Sequence, residues 1–209
     1  MLLVYINNKD YNGLIQACEE YELQYEFLTE SSISLTDIYA AYLGAYIIVD
    51  DLNSARFLRK RMLINQKNNG WIISDEANKI WEVCKALWNN DYQQAYGLLN
   101  NNGNNSSQQQ QRWASVELQT MIVDILESIR ERVLNKIVTA YTTISLVDVV
   151  YYFGLPENDL IQVLTSKGWI YEPSSQVFTI KKQDENKPHN TNFEQLTNIA
   201  DTILQLEKF

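Results

Sequence analysis

The clearest feature of the hydropathy pattern is a helical periodicity between Arg112 and Ala140. Apolar or small side chains keep helical spacing there, at Trp113, Val116, Ile122, Ile125, Leu126, Ile129, Val133, Ile137 and Ala140. This spacing places them on one face of a helix, and no Gly or Pro interrupts the segment. The pattern therefore predicts one long helix of about seven turns.

A second helix is predicted where charge is absent. Between Asp37 and Asp50, twelve consecutive residues (38–49) carry no charge. A membrane span needs about 20 residues, so this stretch predicts a helix that is buried on most sides. Small side chains would let neighbouring helices approach it closely: Ala40, Ala41, Gly44 and Ala45.

An internal repeat organises the first half of the chain. Asp10, Asp51 and Asp91 are spaced by 41 and 40 residues, and a small or apolar residue lies four positions after each. Asp is a preferred N-cap, because its carboxylate accepts the free N–H groups of a first helical turn. Further helical patterns lie between them, including an amphipathic stripe from Ser74 to Trp88. A period near 40 with two helices per unit predicts a tetratricopeptide-like or HEAT-like solenoid over residues 1–99.

The residues from Asn100 to Gln111 are Asn, Gly, Ser and Gln only. Such a composition buries no apolar surface, so we expect a disordered loop over 100–111. The segment interrupts the solenoid without requiring that the parts on either side fold independently.

The pattern after the long helix predicts a winged helix within residues 112–182. Ser145 is a candidate N-cap for a helix that reaches Phe153 and stops at Gly154. A second helix is predicted from Glu157 to Lys167. Two strands follow, over 169–171 and 177–180, and the order helix, turn, helix, hairpin is that of a winged helix.

The charges argue against nucleic acid as the partner of this module. The chain carries 17 basic and 26 acidic residues, a net charge of -9. Residues 1–51 hold nine acids and one base, so the second half is close to neutral. The helix that would read DNA carries Glu157, Asp159 and one Lys, whereas a DNA reader needs basic side chains on the phosphates. A winged-helix nucleic-acid-binding protein therefore stays the less favoured alternative to a protein-binding module.

The residue types that support catalysis or metal binding are scarce. The chain has one histidine, His189, in a polar stretch, and two cysteines, Cys18 and Cys84, which form no CxxC pair. We find no zinc-ligand set, no Gly-rich phosphate loop and no plausible catalytic triad. We therefore expect no enzyme activity, no cofactor and no metal. No signal peptide or membrane segment is recognisable, so we expect a soluble intracellular protein that does not bind membranes.

Several short segments carry a resemblance to a known family. They are residues 53–61 (NSARFLRKR), Ile80-Trp81, residues 140–144 (AYTTI), residues 153–156 (FGLP) and Gly168-Trp169. In order and spacing they resemble the COP-nine signalosome subunit-eight family of small PCI-domain proteins. The likeness covers most of the chain from about Ala40. The broader family includes small PCI subunits of the proteasome lid and of translation initiation factor three, which remain the alternatives.

The resemblance implies a fold and a role. It implies a PCI domain, which is a helical solenoid running into a winged helix, followed by a C-terminal helix. It also implies a non-catalytic scaffold subunit of the signalosome, which removes the ubiquitin-like modifier Nedd from cullins and so regulates cullin-RING ubiquitin ligases. The expected partners are other signalosome subunits, and the expected location is the nucleus and the cytoplasm.

Two contact regions are expected on this basis. PCI subunits meet through their winged helices, so we expect a sheet-edge contact at Val177, Phe178 and Ile180. After a linker over 183–192, residues 193–209 predict an amphipathic helix whose stripe enters a multi-subunit helical bundle or docks on its own domain. The residues of that stripe are Leu196, Ile199, Ile203 and Leu206.

One basic cluster has no assigned role at this stage. Arg56, Arg59, Lys60 and Arg61 lie close together in the predicted solenoid. The cluster is an import signal, a contact for an acidic partner or, as we favour, the solvated face of a helix.

Overall fold

The computed structural model describes residues 2–25, 35–100, 113 and 116–180, which form helices and three short strands. The helices are α1 (Leu2–Asn7), α2 (Tyr11–Gln24), α3 (Leu35–Val49), α4 (Leu52–Asn69), α5 (Asp75–Trp88), α6 (Tyr92–Asn100), α7 (Val116–Ala140), α8 (Leu146–Phe153) and α9 (Glu157–Ser166). The strands are β1 (Thr143–Ser145), β2 (Ile170–Glu172) and β3 (Val177–Thr179). The mainly α fold is therefore confirmed.

Three helix pairs, α1–α2, α3–α4 and α5–α6, turn in the same way. The last residue before each repeated Asp has a left-handed backbone: Lys9, Asp50 and Asn90 have φ of 54°, 67° and 58°. In each turn the N–H of the repeated Asp donates to the carbonyl five residues earlier, at 2.9–3.0 Å. This is the Schellman geometry, which satisfies carbonyls at the end of the first helix of each pair.

The repeated Asp residues cap the second helix of each pair, as predicted. Asp10 accepts a hydrogen bond from the N–H three positions on at 2.9 Å, Asp51 does so at 2.9 Å and Asp91 at 3.0 Å. The residue four positions after each Asp is fully buried: Leu14, Ala55 and Ala95. The internal repeat is thus a structural repeat, because the same turn, cap and core contact recur.

Helix α3 lies at the centre of the described fold and packs against α2, α4, α5 and α7. It is buried along nearly its whole length, as its uncharged sequence predicts. At Gly44 it approaches α7 closely, since an added Cβ would lie 3.0 Å from Met121 Cε. No helix in the described residues is long and apolar enough to cross a membrane.

Helix α7 belongs to the same core as the repeats, although the Asn/Gln tract precedes it. Arg132 Nη1 donates to the carbonyl of Ile47 at 2.7 Å, and Ser128 Oγ donates to that of Ile48 at 3.0 Å. Near its other end, Asp124 accepts from the Tyr11 hydroxyl and pairs with Lys9 at 2.8 Å. The repeats and α7 therefore share one continuous hydrophobic core.

The C-terminal part of the described chain has the winged-helix order, with one strand that the sequence pattern did not predict. Ser145 caps α8 as expected, since its Oγ accepts from the N–H of Asp148 at 3.2 Å. Gly154 ends α8 in the left-handed conformation, at φ 59°. The additional strand, β1, lies between α7 and α8 and pairs antiparallel with β3, so the sheet has the order β1-β3-β2.

Tyr96 of α6 joins the helical repeats to the winged helix. Its hydroxyl donates to the carbonyl of Tyr152 at 3.0 Å, and the Arg130 guanidinium lies 5.5 Å from the centre of its ring. Arg130 Nε also donates to the carbonyl of Phe153 at 3.3 Å. These contacts hold the end of α8 against both α6 and α7.

Some predictions fall outside the described residues. They are the Asn/Gln loop beyond Asn100, His189, the linker 183–192 and the C-terminal helix 193–209. The helix stripe of Leu196, Ile199, Ile203 and Leu206 lies there too. Asn100 itself is the last residue of α6. The domain boundaries drawn at these segments remain predictions.

Candidate interaction surfaces

The sheet-edge contact predicted at Val177, Phe178 and Ile180 is wrong. These residues lie in or next to β3, which is the central strand because β1 pairs along one side and β2 along the other. Phe178 is fully buried and packs edge-on against Trp169. Ile180 is buried, and its N–H donates to the carbonyl of Thr142 at 2.9 Å. The three residues therefore build the sheet and its core rather than a free edge.

The open backbone groups belong to the outer strands. On the β1 side, the hydrogen bonds towards β3 involve Thr142 and Leu146. In an antiparallel pair, the backbone groups of successive residues point alternately towards the partner strand and away from it. The N–H and C=O groups of Thr143 and Ser145 therefore point away from β3. Residues 141–143 are exposed, and no described strand pairs with this outer edge.

The outer edge of β2 offers fewer donors. The same alternation turns the backbone of Tyr171 outward, but Pro173, two positions later, has no N–H to donate. The N–H of Trp169 is already bonded to the carbonyl of Leu164 at 3.1 Å. The edge of β1 is therefore the better site for strand addition. Sequence reasoning missed β1, although the β-branched run Thr142-Thr143-Ile144 is a strand signal.

Helix α9 occupies the position of a recognition helix, and its charge is unsuitable for DNA. It contains no Lys or Arg, and its first turn carries Glu157 and Asp159. Both acidic residues are exposed. A phosphate backbone would meet negative charge at the end of the helix that usually contacts bases, which disfavours duplex binding.

The members of the basic cluster on α4 have different surroundings. Arg61 forms a two-point contact with Glu22 of α2, at 2.9 and 3.2 Å. Arg59 donates from Nη2 to Asn78 at 2.8 Å, and its buried Nη1 has no hydrogen-bond partner in the described residues. Burial lowers the pKa of Arg59. By contrast, Arg56 and Lys60 are exposed. The cluster is thus partly structural and partly free surface.

The polar network between α2 and α3 was not predicted. The hydroxyl of Tyr46 donates to Glu19 at 3.1 Å, and Tyr42 and Tyr46 share a hydrogen bond of 3.1 Å. Burial raises the pKa of Tyr39 to about 12 and raises that of Tyr42 further, so both hydroxyls stay protonated. These tyrosines therefore act as neutral hydrogen-bond donors that tie the helices together.

The described residues contain no group of three or more His, Cys, Asp or Glu side chains that could hold a metal ion. Cys18 and Cys84 are free and buried. Burial raises the pKa of each thiol to about 12, which keeps it out of the reactive thiolate form. Neither cysteine therefore has the environment of a nucleophile or a metal ligand.

Comparison with known proteins shows where the chain belongs. Curated relatives named COP9 signalosome complex subunit 8 match nearly its whole length. The protein from Arabidopsis thaliana is 26% identical over 201 residues, covering 95% of this chain and 93% of its own. That from Xenopus laevis is 27% identical over 203 residues (96% and 94%), and that from Dictyostelium discoideum is 23% identical over 206 residues (97% and 94%). A family model matches residues 33–190, and the chain therefore belongs to the CSN8/PSMD8/EIF3K family.

Proposed function

We propose that this chain is a non-catalytic scaffold subunit of the COP9 signalosome, the complex that removes Nedd from cullins and so regulates cullin-RING ubiquitin ligases. The observation that carries the proposal is the end-to-end match to proteins named as signalosome subunit 8. Both cysteines are buried with raised pKa values, so neither offers a nucleophile. The proposed location is the nucleus and the cytoplasm.

We propose that a neighbouring PCI subunit adds a strand to the outer edge of β1. The outward N–H and C=O groups of Thr143 and Ser145 offer a short ladder for an incoming strand, and this edge has no proline. The second proposed contact is the C-terminal helix, whose stripe of Leu196, Ile199, Ile203 and Leu206 would enter a helical bundle built by several subunits.

Affinity purification of the tagged chain followed by mass spectrometry tests the assignment. We expect the full set of signalosome subunits. Recovery of proteasome-lid subunits or of translation initiation factor three, the other branches named by the family, would contradict it. Recovery of the chain without any such partner would also contradict it.

A backbone substitution tests the β1 edge. Thr143→Pro removes one outward N–H without touching the hydrogen bonds to β3, whereas Thr143→Val keeps the N–H and is the matched control. We expect the proline variant alone to lose the neighbouring subunit while its helical circular dichroism is retained. Equal co-purification of both variants would refute the edge contact.

The stripe of the C-terminal helix is tested separately. Ile199→Asp combined with Ile203→Asp should leave the chain folded but reduce its co-purification with the complex. Unchanged incorporation would contradict the bundle contact, and loss of stability in the isolated chain would favour docking of this helix onto its own domain.

A nucleic-acid-binding role is the candidate from another class. It predicts salt-dependent binding of duplex DNA by the purified chain at micromolar concentration. We expect no such binding because of Glu157 and Asp159, and its detection would overturn the assignment to protein contact.

A further inference from the structure

The outer surface formed by α4 and α5 combines free positive charge with exposed aromatic rings. We define the α4–α5 face by Arg56, Phe57 and Lys60 on α4 and by Trp81 and Trp88 on α5. We propose that this face binds an acidic segment of a partner protein, whose carboxylates meet the cations while an apolar side chain enters the cleft between the two helices.

The charge of α4 favours an acidic partner. The helix carries five basic residues and no acidic one. Arg61 is paired with Glu22, and Arg59 is hydrogen-bonded to Asn78. The other three, Arg56, Lys60 and Lys67, are exposed, and no described carboxylate lies within salt-bridge distance of them. Their spacing along the helix places them on one side of α4, so their positive electrostatic potentials add.

The structure places aromatic rings against two of these cations. The Arg56 guanidinium lies 6.0 Å from the ring centre of Trp88, and the Lys60 ammonium lies 5.4 Å from that of Phe57. Trp88 is 49% exposed and Phe57 is 58% exposed. A cation over a ring keeps its other hydrogen-bond donors free, so the same groups can bind a carboxylate while the rings cover an apolar side chain.

A cleft between the helices provides the place for that apolar side chain. It has a volume of about 350 Å³ and is lined by Leu52, Arg56, Trp81, Cys84, Lys85 and Trp88, together with Asn89. None of these residues is acidic. Lys85 is held by Glu82 at 2.7 Å, so Arg56 is the cation of the cleft that no carboxylate of the described residues neutralises.

The charge balance of the chain favours a peptide over nucleic acid. The chain carries 26 acidic and 17 basic residues, so a long phosphate backbone that extends beyond the face meets net negative charge and is repelled. A short acidic segment contacts only the face itself.

Zero-length carbodiimide cross-linking tests the proposal on the chain purified together with its native partners. This reagent joins a lysine to a carboxylate that contacts it. We expect Lys60 and Lys67 to couple to a run of Asp and Glu in another protein. Lys136, an exposed lysine of α7, is the reference for the cross-linking of a lysine outside the α4–α5 face. The readout does not require the partner to be a signalosome subunit, so the composition of the complex tests the proposed function separately.

Charge reversal provides the second arm. Arg56→Glu combined with Lys60→Glu should weaken association with the cross-linked partner about tenfold at physiological salt, as expected for two lost surface pairs replaced by repulsion. Arg56→Lys with Lys60→Arg keeps both charges and should retain binding. Lys136→Glu is the control for a charge change elsewhere.

Four results would overturn the proposal. They are the absence of cross-links from Lys60 and Lys67 to another protein, cross-links only within this chain or to a second copy of it, equal association of the reversed and charge-retaining variants, and binding of a 20-base-pair DNA duplex that the reversal abolishes.

Discussion

Gly154 is the point where the winged helix meets the helical repeats, and it cannot carry a side chain without cost. Its φ is +59°, which L side chains rarely adopt. A Cβ built on its backbone would lie 2.4 Å from Cδ2 and 2.7 Å from Cγ of Tyr96. We predict that Gly154→Ala strongly destabilises the protein and loosens the contact between α8 and α6.

Two contributions set the size of this effect. The left-handed conformation costs an alanine about 1 kcal/mol more than a glycine. The clash adds about 1–3 kcal/mol, as is usual when a methyl group enters a packed region. Tyr96 has little room to move, because it is 3% exposed and its hydroxyl is bonded to the carbonyl of Tyr152. The expected loss is about 2–4 kcal/mol of the roughly 5–15 kcal/mol that stabilises a domain.

The chain offers a matched control for the assay. Gly70 ends α4 at φ +68°, and an added Cβ there would meet nothing within 4 Å. Gly70→Ala should therefore lose only the conformational cost, about 1 kcal/mol. The free energies of unfolding would be measured by urea denaturation with circular dichroism.

Equal losses at Gly154 and Gly70 would refute the reasoning, because they would mean that the contact with Tyr96 costs nothing. A double-mutant cycle isolates the contact further. In a Tyr96→Ala background, Gly154→Ala should cost about 1 kcal/mol, since the ring it would meet is gone.

The remaining predictions concern a cap, a tertiary hydrogen bond and the thiols. Asp51→Ala removes the N-cap of α4 and should cost about 1 kcal/mol at pH 7. Hydrogen bonds lower the pKa of Asp51 below 3.8, so its stabilising effect is present above that pH and is lost as the pH falls through the folded-state pKa. The free energies of unfolding of wild type and variant, measured by urea denaturation, should therefore become equal near pH 2. Arg132→Ala removes the charged hydrogen bond to the end of α3 and should cost about 2 kcal/mol in the same assay, whereas a loss below 0.5 kcal/mol, the usual size of a surface effect, would contradict that bond. Cys18 and Cys84 are 2% and 3% exposed, and burial raises their pKa values to about 12. Both thiols should therefore be unreactive to a thiol reagent at pH 8 until urea unfolds the chain. Rapid labelling of the native protein would contradict this.

The repeated turns are the part of the fold that sequence reasoning recovers best. These turns are predicted by Asp10, Asp51 and Asp91, because each Asp caps a helix by accepting a hydrogen bond from an N–H only three residues away. Ser145 and Gly154 bound α8 for the same reason. Such interactions are local, so the residue types and their spacing contain the information needed to predict them.

The candidate contact surfaces could be predicted only in part. A strand pattern at Val177–Thr179 identifies β3, but an edge is defined by the absence of a neighbour. Strand β1, more than thirty residues earlier in the chain, supplies that neighbour and turns the expected edge into the centre of the sheet. No pattern within β3 itself carries this fact.

In the basic cluster, the surroundings of single side chains also could not be predicted from the local sequence. Arg56 and Arg61 look equivalent in the sequence, yet Arg61 pairs with Glu22, 39 residues earlier, while Arg56 lies over Trp88 beside an open cleft. Which cation is neutralised depends on which helices become neighbours.

The sequence by itself determined the mainly helical class, the period of the helix pairs, their caps and the order of the winged helix, because each single helix, cap and turn depends on residues within a few positions of one another. Only the tertiary structure decided that β1 completes the sheet, that α7 shares the core of the repeats, and that no carboxylate of the described residues pairs with Arg56 or Lys60. Those outcomes depend on pairing between segments tens of residues apart, and pairing at that distance is set by packing of the whole core rather than by any local pattern.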